Sequence, residues 1–128
     1  MMYTEEQVNL MIKMEYRKTT STGHTWAVTK KGWLNETSGL VWKFTDEPGN
    51  FTFDEATEKF GKTLPTMEEW EIADEHGVLE VLELEGKYYW SSSFVPTSEK
   101  YAWLFVSGVG AGTTSYKTHA TPVRLIVR

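Results

Sequence analysis

No cysteine occurs anywhere in these 128 residues. That absence removes a disulfide framework, a thiolate metal site and a cysteine nucleophile together, so the fold must be held by packing alone. The packing material is aromatic: six Trp, six Tyr and six Phe make up 14% of the chain, within a hydrophobic total of 40%. Each such ring buries a large area at once, and a chain of this length buries roughly two-thirds of its unfolded surface. Residues 1–128 are therefore expected to form one domain around large flat side chains, not a disordered segment.

Charge narrows the partners. Thirteen Lys and Arg stand against 18 Asp and Glu, a formal charge of −5, and no block of like charge is long enough to form a tail. A general nucleic-acid binder needs a basic face, so nucleic acid is not an expected partner. The opening MMYTEEQVNLMIKMEYRK lacks the basic start, unbroken apolar stretch and small-residue cleavage site of a secretory signal. No run approaches the roughly 18 apolar residues of a membrane span. The expectation is cytoplasmic synthesis without membrane insertion, compatible with later incorporation into a virion.

Along the chain, Thr4 and Gln7 have capping-box spacing, and Val8, Met11, Ile12 and Glu15 recur at helical intervals with Leu10 and Met14 widening the apolar face. This predicts a helix over 4–16 that the polar run KTTSTG ends. HTWAVTKKGWLNETSGLVWKF, punctuated by Gly32 and Gly39, predicts two or three short strands. Pro48 and Gly49 make a turn, and Phe53, Ala56 and Phe60 share a helical face up to Gly61. In TLPTMEEWEIADEHG, Pro65 stops what precedes, Thr66 and Glu69 form a second capping box, and Gly77 suits the left-handed position after the last turn. Met67, Trp70 and Ala73 point inward there, with Glu68, Glu71, Asp74 and Glu75 toward solvent. VLEVLELEG satisfies neither the helical nor the strand period. YYWSSSF and YAWLFVSG predict strands, the second with Tyr101, Trp103 and Phe105 on one side and Ala102, Leu104 and Val106 on the other. GVGAGTT predicts a flexible hairpin connection. In the closing PVRLIVR, Val123, Leu125 and Val127 alternate with Arg124, Ile126 and Arg128. Helices early and antiparallel strands late make an α+β class.

Six pieces in this order, GLVW (39–42), FDEA (53–56), TLPTMEEWE (63–71), YWSSS (89–93), YAWLF (101–105) and the closing VRLIVR, resemble a known family. It comprises small bacterial and phage domains related to the C-terminal domain of a collagen-like adhesin, themselves similar to formylglycine-generating enzymes. The resemblance covers residues 24–128 and leaves an N-terminal helical extension over 1–20. It implies a C-type-lectin-like fold, with antiparallel sheets, two short helices and the added N-terminal one, whose chain ends meet in one sheet while a second small sheet carries the binding surface. It implies as function a non-catalytic module for virion decoration, receptor binding or adhesion, with a protein or glycan surface as partner and homo-oligomer or virion assembly as a further role. Two alternatives remain open: an intracellular phage-type inhibitor of a host protein, and a diverged relative of the formylglycine-generating enzymes.

Departures from that pattern limit what carries over. Formylglycine-generating enzymes act through cysteine, which is absent here. Calcium-dependent lectins use Glu-Pro-Asn and Trp-Asn-Asp, whereas Glu47-Pro48-Gly49-Asn50 has an inserted Gly, lies too early, and has no Trp-Asn-Asp to work with. Retroelement-diversified binders vary an Asn-rich C-terminal stretch, and residues 88–128 contain no Asn.

Chemistry by residue type adds little. The carboxylates of Glu68, Glu69, Glu71, Asp74 and Glu75 suit a hard cation, but a solvated helix face with charges toward its N-terminus explains the same residues and is the reading preferred. No metal and no cofactor are expected. His24, His76 and His119 could pair with Ser91, Ser92 or Ser93 in a hydrolase, but their spacing gives no support, and His76 beside Gly77 is expected to meet free helix-end carbonyls. Gly108, Gly110 and Gly112 match no phosphate-binding fingerprint. Asn35-Glu36-Thr37 and Asn50-Phe51-Thr52 match glycosylation acceptors without a secretory signal. No catalytic residue is expected. Trp90 is expected to anchor the core beside Ser91–Ser93, which satisfy backbone groups. Tyr88, Phe94, Tyr101, Trp103 and Tyr116 are the candidate contact residues, because Tyr and Trp supply stiff contact area at low entropic cost. Alternation alone does not say which of them face inward.

Overall fold

The computed structural model describes residues 3–128. Helix α1 (Glu5–Lys13) is followed by strands β1 (Arg17–Thr19), β2 (Thr25–Val28), β3 (Trp33–Asn35) and β4 (Val41–Trp42). Then come α2 (Phe53–Phe60), a short 3-10 turn (Gly61–Thr63), α3 (Met67–Glu75) and α4 (Val78–Val81). Strands β5 (Tyr88–Phe94), β6 (Tyr101–Val106), β7 (Ala111–Tyr116) and β8 (Ile126–Val127) complete an α+β chain whose paired strands are antiparallel.

A five-stranded sheet runs in the order β1-β2-β3-β4-β8, so strands from both ends of the chain share it. The second sheet is β5-β6-β7. No described helix is long and apolar enough to cross a membrane.

Each of the longer helices starts on the same device. Thr4, Thr52 and Thr66 accept from the backbone N–H of Gln7, Glu55 and Glu69, whose side chains reach back to the threonine N–H. Two orphan donors are thus satisfied at every start. The Thr52 box is one the sequence reading passed over. Gly77 ends α3 in the left-handed region at φ 84°, and a side chain there would collide with Thr20, so Gly is required on both counts.

Two apolar clusters lie on opposite sides of the second sheet. One gathers Trp26, Trp33, Trp42, Met67, Trp70, Tyr89, Phe105 and Ile126 with their neighbours. The other gathers Phe53, Ala56, Leu64, Trp90, Ala102, Leu104, Val123 and Leu125. Adjacent residues in β5 (Tyr89, Trp90), in β6 (Leu104, Phe105) and near the C-terminus (Leu125, Ile126) therefore serve different clusters, as strand alternation requires. Both faces of β6 are inside at its centre.

Several expectations need correction. α1 ends at Lys13, and Leu10 and Met14 are exposed, leaving Val8 as its buried residue with Met11 and Ile12 packed alongside. The polar run after it contains β1, whose three side chains are all exposed and so carry no periodic signal. GVGAGTT is not a loose connection: its last four residues belong to β7, paired to β6 in register. Asp74 is half-buried, not out in solvent like Glu68, Glu71 and Glu75. Regular pairing of the closing segment is confined to two residues, and Arg124, which alternation sets apart from the apolar positions, is 1% exposed.

Candidate binding surface

Arg124 is buried because its donors find fixed acceptors. Its Nε lies 2.8 Å from Asp46 Oδ1, Nη1 donates to the carbonyls of Lys43 and Phe44, and Nη2 donates to that of Glu83 at 2.6 Å. Tyr89 donates its hydroxyl to Asp46 Oδ2 at 2.9 Å and accepts from the Gly86 N–H. Burial is the main reason the Tyr89 phenol is pushed far above its ordinary pKa. This network ties the C-terminal segment to the loops on either side of a cleft of about 610 Å³, whose rim carries Glu47, Glu83 and Glu85. Every described polar group of the Arg124 guanidinium that faces these loops is thereby engaged, so the residue acts as a tie between them.

The second sheet offers a different surface. Ser107 N–H donates to Lys87 C=O, so odd residues of β6 turn their backbone groups toward β5. Lys117 N–H donates to Lys100 C=O, so even ones turn toward β7. Tyr101 stands directly opposite Tyr116, and their rings are 4.7 Å apart. Hydrogen bonding to Tyr116 holds the Tyr101 phenol above its usual pKa. His119 meets Tyr116 edge-on at 5.5 Å. Trp103 lies on the same strand face, half-buried against the tryptophan cluster.

The candidate contact residues thus fall into two groups. Tyr101, Trp103 and Tyr116 share a face of the sheet with the buried Tyr89 and Phe105. Tyr88 is paired with Val106 and Phe94 with Ala102, at opposite ends of β5 on the other face, 38% and 60% exposed. An irregularity in pairing between Trp90 and Phe94 separates them further. Tyr88 borders a groove of about 600 Å³ whose remaining lining includes Thr113, Ser115, His119 and Thr121. No carboxylate, Lys or Arg lines it.

Among the residues chosen as structural anchors, Pro65 accepts from Ser92 N–H through its carbonyl. Thr66 and Glu69 form the capping box, and Trp70 stacks on Phe105 at 4.5 Å with ring planes 5° apart. Trp90 is fully buried and donates to the Phe51 carbonyl at 2.7 Å. Ser91 donates to the Trp103 carbonyl and Ser93 accepts from Met67 N–H, so two of the serines satisfy backbone groups.

None of the histidines meets those serines. His24 stacks on His76 at 3.8 Å, and His76 Nδ1 lies 2.9 Å from Asn35 Nδ2. The His76 ring therefore faces side chains, and it is its own backbone carbonyl that accepts from Trp26 Nε1 and Thr20 Oγ1. Asn35 is fully buried, which removes it as a glycosylation acceptor. His119 pairs instead with Ser115, Nδ1 to Oγ at 2.8 Å. That pair is the feature sequence reasoning missed, because the turn that folds residue 119 back onto 115 leaves no periodic trace. Both residues are solvent-accessible. Among the described residues no group of three or more His, Asp or Glu is placed to hold a metal ion.

No family model matches the chain, and no curated protein matches it either.

Proposed function

We propose that this chain is a non-catalytic recognition module of the C-type-lectin type, which takes a protein or glycan surface on its three-stranded sheet. The observation that carries the reading is the Tyr101–Tyr116 pair, extended by Trp103 on one side and His119 on the other. Aromatic rings held by strand pairing, Tyr116 exposed and Tyr101 and Trp103 half-buried, give contact area at a low ordering cost, the property that binding hot spots share. The fold reading is supported by the shared sheet for both chain ends and by capped helices α2 and α3 preceding the second sheet. Ser115 and His119 line an uncharged groove on the opposite face of the sheet, beside Tyr88, so the aromatic face is the one that carries this reading. Such a module would serve on a particle surface or as an adhesin.

The test compares wild type with Tyr101→Ala/Trp103→Ala, checked for an unchanged far-ultraviolet circular dichroism spectrum and a cooperative thermal transition, in capture from bacterial lysate with its envelope fraction and on a glycan array. A ligand held by wild type and lost by at least tenfold in the variant is expected. Equal retention by both moves the binding surface elsewhere.

A further inference from the structure

The two sheets finish their edges differently. The outer edge of β5 is covered, because Trp90 N–H donates to Pro122 C=O and Ser92 N–H to Pro65 C=O. The outer edge of β1 is three residues long and carries the exposed charges of Arg17 and Lys18, a usual guard against strand addition. β7 has neither protection. It is six residues long, AGTTSY, without Pro or a charged side chain, and its pairing to β6 is unbroken by any bulge.

The alternation already fixed by Lys117 and Lys100 turns Ala111, Thr113 and Ser115 toward β6 and leaves Gly112 and Thr114 with both backbone groups outward. Among the described residues neither finds a partner there. Tyr116 also turns outward, but its carbonyl is already taken by His119 N–H.

We propose that β7 pairs antiparallel with β7 of a second copy, joining two three-stranded sheets into one of six strands. The argument for this occupant is self-complementarity. The register that opposes Gly112 with Thr114 of the second copy uses the outward N–H and C=O of both residues in both copies, as a two-fold interface requires. In that register Thr113 faces its own counterpart across the axis, a favourable cross-strand pair. Tyr116, 47% exposed, comes opposite Gly110, whose missing side chain leaves its place to the Asp74 carboxylate of α3, an acceptor within reach of that end of the seam. Val109, 74% exposed at the turn, meets the stem of Lys117. No like charges face each other along the strand, although each copy carries −5 overall. A seam this narrow lies at the small end of specific interfaces, so the dimer is weak and forms at high local concentration. It would carry Tyr101 and Trp103 of both copies on one continuous sheet, doubling the surface presented to a repetitive target.

Sedimentation velocity from about 10 µM to about 1 mM reads the association directly, beside hydrogen exchange at single amides. The expected result is a mass that rises toward two copies, with the Gly112 and Thr114 amides gaining protection as concentration rises while Thr113 and Ser115 are protected throughout. Thr114→Pro removes an outward donor, which an edge strand tolerates, and Thr114→Lys adds the missing edge charge. Both are expected to stay monomeric with the wild-type circular dichroism spectrum. A wild type that remains monomeric at about 1 mM overturns the proposal and leaves the edge to an extended peptide from another protein. A folded Thr114→Lys chain that associates like wild type overturns it too, by moving the interface elsewhere. Neither readout involves the ligand of the recognition surface, so failure there does not count here.

Discussion

His76 shows how one side chain can hold positions far apart in the chain. It ends α3, stacks on His24 from the turn between β1 and β2, and bonds Asn35 from β3. Burial first, and then the neighbouring His24, lower its pKa below the ordinary 6.5, while Glu75 acts in the opposite direction. A proton on the ring would compete at Nδ1 with the Asn35 amide, which lies 2.9 Å away, and would face a second imidazole across the stack. The unfolded chain binds this proton more readily than the folded one, so stability rises with pH across the interval and is lost on acidification below about pH 6.5. The carboxylates of Glu55 and Glu80, held below their ordinary pKa by hydrogen bonds, lose their contribution at lower pH still, so the two windows separate. Thermal melts of wild type from pH 8 to pH 5 are expected to fall, and those of His76→Gln to fall less over the same range. Parallel curves would mean that the histidine stack does not titrate on unfolding. The residue scale is also where sequence reading reached least far. Alternation sets Arg124 apart from Val123 and Leu125 without saying that it is buried, because Asp46, which satisfies it, lies 78 residues away in a loop, and no local pattern reports such a partner.

At the scale of elements the sequence is most legible where structure is locally determined. The boxes at Thr4 and Thr66, the inward stripe of Met67, Trp70 and Ala73, and the left-handed Gly77 all follow from spacing within one or two turns. β1 and β7 were not legible because neighbours in space define them: Arg17–Thr19 has no buried face, and the Gly and Thr of β7 have no alternation of their own. The same contrast predicts what a cap is worth. Thr66 starts a helix that is packed through Trp70 into the larger cluster, and Glu69 serves both as its box partner and as the acceptor for Arg128 Nη2 at 2.6 Å. Thr4 starts a peripheral helix whose buried contribution is Val8. Thr66→Ala is expected to cost about 1–2 kcal/mol in chemical denaturation. Thr4→Ala should fray α1 at a smaller global cost. Glu69→Gln keeps the box, since Gln serves in α1, and should lose less than Thr66→Ala because its ion pair is partly exposed. A larger loss from Glu69→Gln would mean that the tie to Arg128 outweighs the cap.

On the scale of the whole molecule, the question is whether two apolar clusters mean two independently unfolding units. The larger contains Trp26, Trp33, Trp42 and Trp70, whereas Trp90 belongs to the smaller, so fluorescence can address them separately. Their separation is one strand thick: Leu104 packs into one cluster and Phe105, the next residue, into the other. The segment from Val123 to Ile126 repeats the arrangement at the C-terminus, and Arg124 within it fastens both flanking loops. Neither cluster can lose its wall without removing a wall of the other, so the physical expectation is one cooperative transition. Leu104→Ala tests it from the smaller side. The substitution leaves a cavity beside Trp90 and should cost about 2–4 kcal/mol. If the strands couple the clusters, that cost appears equally in the denaturation midpoint read by total tryptophan emission and in the one read in a Trp90→Phe background, whose emission comes from the tryptophans of the larger cluster. Midpoints that separate, with the larger cluster surviving at denaturant concentrations that melt the smaller, would divide the molecule along β6. The recognition surface would then be seated on the weaker half, because Tyr101 and Trp103 are carried by that same strand.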